Sequence, residues 1–261
     1  AFVWAMLAEA IVVALILLIV MGRQGPALRS LRVSVERGCT LVRDSWPLIL
    51  SAIAVTVYMQ IDQLMLGQII DDEAVGIYSA AVRISEVWYF IPMVIVTSVF
   101  PAILEAKKLG EAQYYARLQK LYDLMVILSL SVALPMTFLA TPIVSVLFGE
   151  AYIESGIVLA IHIWASVFVF LGVASSKWFL AENRQMLSLQ RTVLGAIANI
   201  GLNMWLIPLY GSVGAAIATV ISQAIAAWLF DSLQTATRPM FFMKLASMNP
   251  ARISISSLLI R

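Results

Sequence analysis

Charge is what this sequence has least of. Of its 261 residues, 17 are basic and 15 acidic, so charged residues are 12% of the chain and hydrophobic ones 62%. A water-soluble domain carries about 25% charged residues, and half that supply leaves too little polar surface to cover a core. The composition excludes a soluble enzyme, a disulfide-stapled secreted domain and a nucleic-acid-binding module. Cysteine is nearly absent: Cys39 stands alone, which rules out an internal disulfide and any CxxC pair for zinc or an iron–sulfur cluster. Histidine is as scarce, with His162 alone, so His-rich metal sites and the H-E-x-x-H motif are excluded. No metal site and no cofactor is expected. The alternation of membrane β-strands is also missing. These absences give the fold class: all-α, a polytopic membrane helix bundle. The chain opens on Ala1 at the edge of an apolar run, without a basic n-region or a small-residue cleavage site. It reads as a fragment whose upstream half is missing.

What is there is apolar and long. Seven stretches approach or exceed the roughly 18–20 residues that span a bilayer: Phe2–Met21, Trp46–Ile69, Val75–Ala102, Leu121–Ala140, Gly156–Leu180, Leu187–Ile207 and Val213–Leu233. The third exceeds 25 residues, and Pro92 inside it predicts a kink, because proline lacks the backbone donor. Lys and Arg alternate with the spans. Arg23, Arg29, Arg32, Arg37 and Arg43 follow the first, and Lys107, Lys108, Arg117 and Lys120 follow the third. Lys177, Arg184 and Arg191 flank the connection after the fifth, and Arg238, Lys244, Arg252 and Arg261 follow the seventh. The connections Ile70–Ala74, Thr141–Ser155 and Pro208–Ser212 hold no Lys or Arg. Sixteen of seventeen basic residues thus share one side, which the positive-inside rule makes cytoplasmic.

Two basic connections predict amphipathic helices lying on the anionic leaflet. In one, Leu28, Leu31, Val35, Val42 and Trp46 recur at helical spacing; in the other, Lys107–Tyr122, the apolar side is Tyr114, Tyr115, Leu118 and Leu121. Solvated basic loops would account for the same charges. Small residues crowd the last two spans (Gly195, Ala196, Ala198, Gly201; Gly211, Gly214, Ala215, Ala216, Ala218), a pattern that lets helix backbones approach closely in lipid.

The seventeenth basic residue, Arg83, lies within a span, as do Glu9, Asp62, Glu86 and His162. Ionisable groups in lipid are costly and usually face a bundle interior or a wet cavity. By helical rise, Asp62, Arg83, Glu86 and His162 fall in one layer of the outer half, with Glu86 at i+3 from Arg83. Two readings stay open. Arg83, Glu86 and Asp62 neutralise one another and fix packing, or Arg83 meets an anionic group while a carboxylate binds a proton or cation. His162 titrates near physiological pH when unperturbed, though a lone histidine bonded to a neighbouring helix is commoner. Lys177 and Asp231, near span ends, are expected to snorkel to the cytoplasmic interface.

Several stretches carry a family resemblance: Ser45-Trp46-Pro47-Leu48-Ile49-Leu50-Ser51, Ile61-Asp62-Gln63-Leu64-Met65-Leu66-Gly67 and Val75-Gly76-Ile77-Tyr78-Ser79-Ala80-Ala81-Val82-Arg83-Ile84. Pro101-Ala102, Phe148-Gly149-Glu150-Ala151-Tyr152 and Gly211-Ser212-Val213-Gly214-Ala215-Ala216-Ile217-Ala218-Thr219 extend it. Together they resemble the O-antigen and polysaccharide flippases of the multidrug/oligosaccharidyl-lipid/polysaccharide (MOP) exporter superfamily, in the order of the latter half of a twelve-helix member. The resemblance implies a MATE-like fold of two six-helix lobes rocking about a central cavity in the bacterial inner membrane. It makes residues 1–21 the last helix of a missing first lobe, 22–45 a cytoplasmic linker, 46–238 a six-helix second lobe and 239–261 a cytoplasmic tail. It implies a non-enzymatic function, the flipping of undecaprenyl-diphosphate-linked oligosaccharide units for polysaccharide biosynthesis. The partners so implied are that lipid-linked glycan, membrane lipids, the missing lobe and the polysaccharide polymerase machinery, with no nucleic acid. Arg83 is then the candidate for diphosphate or glycan, and Asp62, Glu86, His162 and Glu9 are candidates for ion or proton coupling or for its charge partners.

Three rivals are weighed. A cation-coupled multidrug antiporter of the same superfamily would favour acidic cavity residues without a buried arginine. A membrane polysaccharide polymerase or glycosyltransferase needs a sizeable loop with catalytic side chains. The longest outer connection here is Thr141–Ser155, whose only charges are Glu150 and Glu154. A passive scaffold would tolerate replacement of its buried charges.

Overall fold

A computed structural model describes residues 2–24 and 34–249. Leu28, Leu31, Arg29, Arg32, Arg252 and Arg261 lie outside the described residues. The helices are α1 (Phe2–Gln24), α2 (Val35–Ile69), α3 (Asp72–Glu86), α4 (Phe90–Leu109), α5 (Glu111–Phe148), α6 (Ser155–His162), α7 (Ala165–Ala181), α8 (Gln185–Ala224), α9 (Phe230–Leu233) and α10 (Arg238–Ser247). No strand occurs among the described residues. The chain divides into two compact units, Ala1–Trp46 and Pro47–Arg261. In the first, α1 presents exposed Leu and Ile side chains along Leu7–Val20, and Val35 and Val42 at the start of α2 are exposed.

Within the second unit, five helical stretches are long and apolar enough to cross a bilayer by length and composition: Ser45–Ile69, Asp72–Leu109, Glu111–Phe148, Ser155–Ala181 and Gln185–Leu233. Their surface is inside out relative to a soluble protein. Phe138 and Val146 are 82% and 84% exposed, while the carboxylates and amides of Asp62, Asn199, Asn203 and Asp231 are buried. Hydrocarbon can cover the first group, and only the protein can satisfy the second. The chain is a multi-pass membrane protein of the all-α bundle class.

Local chemistry sets each reversal. At the α2–α3 turn, Asp71 caps α3 by accepting a hydrogen bond from the Ala74 amide at 2.8 Å. The kink expected of Pro92 takes the form of a 3-10 turn at Val87–Tyr89. Pro92 has no amide hydrogen to offer the Trp88 carbonyl four residues back, and the helix tightens there and resumes as α4. In α8 the longest apolar stretch folds back on itself. Gly211 adopts φ +55° and ψ −133°, a conformation open almost only to glycine. Beyond it, a Cβ at Gly214 would strike the Leu206 carbonyl, and one at Gly195 would lie 2.7 Å from Ala226. Residues 185–210 and 212–224 are therefore antiparallel limbs in close contact, the role assigned to the small residues. A π-helical turn, Ile225–Leu229, follows the second limb.

One expectation fails in this unit. Lys107–Tyr122 is not a surface helix: α4 ends at Leu109, Gly110 turns the chain at φ 141°, and α5 starts at Glu111. Tyr114, Leu118 and Leu121 are buried with Val96, Ile103 and Phe179 in a core cluster. The stripe that suggested a lipid-facing helix is a protein-facing one, since both need the same spacing. Residues of α10 enter the core, with Met240, Lys244 and Ser247 fully buried.

Candidate functional site

Asp62 is 3% exposed and lies where four helical segments meet. It sits on α2 seven residues before that helix ends, and the tight Asp71 turn returns Tyr78 of α3 alongside it. Asn199 and Asn203, one turn apart, face it from the first limb of α8, and Thr219 and Ser222 face it from the second. The Gly211 reversal sets these two pairs in register. Oδ2 of Asp62 accepts from the Tyr78 hydroxyl at 2.6 Å and from Thr219 Oγ1 at 2.5 Å; Oδ1 accepts from Asn203 Nδ2 at 2.5 Å. The same Nδ2 donates to Asn199 Oδ1 at 3.1 Å, and Tyr58 meets Ser222 Oγ at 2.9 Å. All the groups bonded to this carboxylate are neutral, and no ion pair joins it to a cation among the described residues.

Thr219 Oγ1 lies within bonding distance of both Asp62 Oδ2 and the Ala215 carbonyl, at 2.5 and 3.0 Å, and its single hydrogen serves one of them. Asn203 Oδ1, buried, has no partner. Asp62 Oδ1 and Oδ2, Asn199 Oδ1 and Thr219 Oγ1 place four oxygens in this cluster, with Asn203 presenting its nitrogen to two of them.

The other sequence candidates go elsewhere. His162, 3% exposed, bonds Ser85 Oγ through Nδ1 at 2.9 Å and stands edge-on to Tyr78, with ring centroids 5.9 Å apart. Tyr78 and Ser85, seven residues apart, share the inward face of α3. Arg83 follows Tyr78 by five residues, about 140° around the helix, and is exposed beside Val87, Leu147 and Phe148. Glu86 is half-buried; among the described residues no ion pair links it to Arg83. Glu9 is an exposed residue of α1, in the first unit. The layer inferred from depth therefore separates by azimuth: Asp62 and His162 point inward, Arg83 outward.

Asp231 does not snorkel. It is fully buried, and its Oδ2 accepts from Lys244 Nζ at 2.6 Å. The same ammonium donates to the Ala227 carbonyl at 2.5 Å, inside the π-helical turn. Burial pushes the Lys244 ammonium down to about 8, with Asp231 opposing the shift. Tyr78, Asn199, Asn203 and Thr219 are not singled out by the sequence reading. The signal is present in Asn199 and Asn203, two amides one helical turn apart in an apolar run, where hydrocarbon would leave both unsatisfied.

Residues 1–107 match the family model described as polysaccharide biosynthesis protein. Two curated relatives, both from Haloferax volcanii, are similar in sequence. One, named "Probable low-salt glycan biosynthesis flippase Agl15", is 24% identical over 181 residues, 68% of this chain and 38% of the relative. The other, "Probable flippase AglR", is 27% identical over 172 residues, 64% of this chain and 36% of the relative. The chain thus spans less than two fifths of the length of either. No solved structure matches it. Over residues 1–107 the chain is thus similar to polysaccharide biosynthesis proteins, and over about two thirds of its length to two relatives named as probable flippases.

Proposed function

We propose that the protein carrying this chain is a flippase for lipid-linked oligosaccharide units, and that Asp62 is the site where transport is coupled to a proton or a small monovalent cation. The flippase reading draws on the two relatives' names. The coupling reading is carried by one observation: a buried carboxylate bonded only to neutral groups. An unpaired charge in such a site costs several kcal/mol, so Asp62 is stable when protonated or cation-bound. Binding and release of that ion alter the attraction between α2, α3 and both limbs of α8, which is how an ion gradient biases two arrangements of a bundle.

In this reading the basic connections are cytoplasmic, the membrane is a prokaryotic plasma membrane, and the glycan head crosses while its polyprenyl tail stays in lipid. Arg83 offers its exposed guanidinium to the diphosphate, which a planar fork binds bidentately. The drug-antiporter alternative has no support from the two relatives, both named as probable flippases.

The test uses the full-length protein in liposomes holding a fluorescent short-chain lipid-linked disaccharide, with a sodium gradient, a pH gradient or neither. One gradient should raise the wild-type flipping rate. Asp62→Asn should remove that acceleration while membrane insertion is retained. Equal gradient response in wild type and Asp62→Asn would overturn the coupling role, and no flipping under any condition would overturn the flippase reading.

A further inference from the structure

Away from Asp62, a cleft of about 290 Å³ opens among α2, α4, α7 and the two limbs of α8. Its walls are mostly apolar, including Met59, Met93, Val169 and Val173, with Arg191 set among them. Arg191 is 8% exposed, so its charge is held inside the protein. One arm of its guanidinium is committed: Nη2 donates to the Gly172 carbonyl at 3.0 Å. The plane is braced on Phe179, 4.7 Å from the ring centroid. The other arm is not, for Nη1 is buried and has no hydrogen-bond partner. Asp231 Oδ2 serves Lys244 and its Oδ1 is buried without a partner; among the described residues it forms no ion pair with Arg191. A guanidinium fixed on one side, unsatisfied on the other and bordering a cleft is a site built for an anion.

The walls say what carries the anion. A free phosphate would gain nothing from methionine and valine surfaces, whereas an amphiphile buries its chain there. Arg191 also lies near the basic ends of the helices, six residues after α8 begins at Gln185, where lipid phosphates reside if those ends meet a leaflet. We infer that the Arg191 cleft binds the phosphate group of an amphiphile, with the phosphate on the guanidinium and the apolar chain along Met59 and Val173. The polyprenyl phosphate of a glycan carrier and the phosphodiester of a bilayer lipid share this chemistry.

The experiment reads binding rather than transport, so its failure leaves the flippase reading standing and the reverse. Purified protein in a maltoside detergent is photolabelled with a diazirine analogue of farnesyl phosphate, or with the same diazirine on farnesol, and the labelled peptides are mapped. The phosphate probe should label peptides containing Met59 or Val173. Arg191→Gln should reduce that labelling about ten-fold or more, the worth of a charge-assisted hydrogen bond, while leaving farnesol labelling unchanged. Should Arg191→Gln fail to fold, competition on the wild type decides. Displacement by unlabelled farnesyl phosphate or by phosphatidylglycerol supports the site, and the stronger competitor identifies the source. Equal labelling by alcohol and phosphate probes would overturn it, as would displacement by inorganic phosphate as effective as by farnesyl phosphate.

Discussion

At the scale of single residues, direction around a helix matters as much as depth along it. Arg83 and Glu86 are three residues apart, a spacing that permits an ion pair, yet none joins them among the described residues. If Arg83 serves the substrate, Arg83→Ala should cut glycan display at the cell surface at least several-fold at unchanged protein level in the membrane, and Arg83→Lys should restore it only in part. Adding Glu86→Gln to Arg83→Ala should not rescue display, since there is no freed carboxylate to neutralise. Recovery in that double variant would assign Arg83 a structural role. Asp62 differs from Arg83 because every group around it is fixed by a neighbouring helix. An acidic residue in an apolar run makes Asp62 conspicuous in the sequence. Its partners are not legible there, because Tyr78, Asn203 and Thr219 are brought together by two chain reversals.

At the scale of elements, α10 is held by a charge as well as by contacts. Lys244 and Asp231 are both fully buried, so removing one strands the other. Lys244→Ala should destabilise the protein by about 3–5 kcal/mol, read as a fall in the thermal midpoint in detergent. A Lys244→Met, Asp231→Leu double variant should recover most of the loss, because it removes both charges. The Gly211 reversal is the other decisive element. Alanine there must adopt a backbone conformation that costs on the order of 1–3 kcal/mol, and Gly211→Ala should lower the same midpoint. The extent of the apolar runs and the prolines make these helices legible in the sequence. The burial of Met240, Lys244 and Ser247 is not legible, because Phe241, Met243 and Lys244 have the composition of an interfacial tail as much as that of a docked helix.

At the scale of the whole molecule, the exterior of the second unit is largely apolar with Asp62, Asn199 and Asp231 within, and in the sequence the basic residues fall in alternate connections, at one set of span ends. If those ends are cytoplasmic, the acidic turn that begins α3 faces outward. With Cys39→Ser as background, Glu73→Cys should react with a membrane-impermeant maleimide in intact cells, and Glu111→Cys only after permeabilisation. The reverse pattern would invert the topology. The division of labour between the two ends of the second unit is only half legible in the sequence. Basic residues announce their side by number alone, and by number Arg191 is one more topological charge; only its burial and its orphaned nitrogen set it apart.

The Gly211 turn has a consequence for anyone who edits this gene product. A helix has a phase as well as a length: each added residue rotates the remainder of the helix by about 100°. An epitope tag or a single inserted codon between residues 210 and 212 would look harmless, since the spot is a short loop between two spans. It would dephase the second limb of α8 from the first, swing Thr219 away from Asn199 and Asn203, and leave Asp62 facing alanine or valine. An insertion at this loop is therefore expected to disturb the Asp62 cluster, and substitutions on the lipid-facing sides of both limbs are expected to leave it intact. The loop is the spacer that keeps the two limbs in phase.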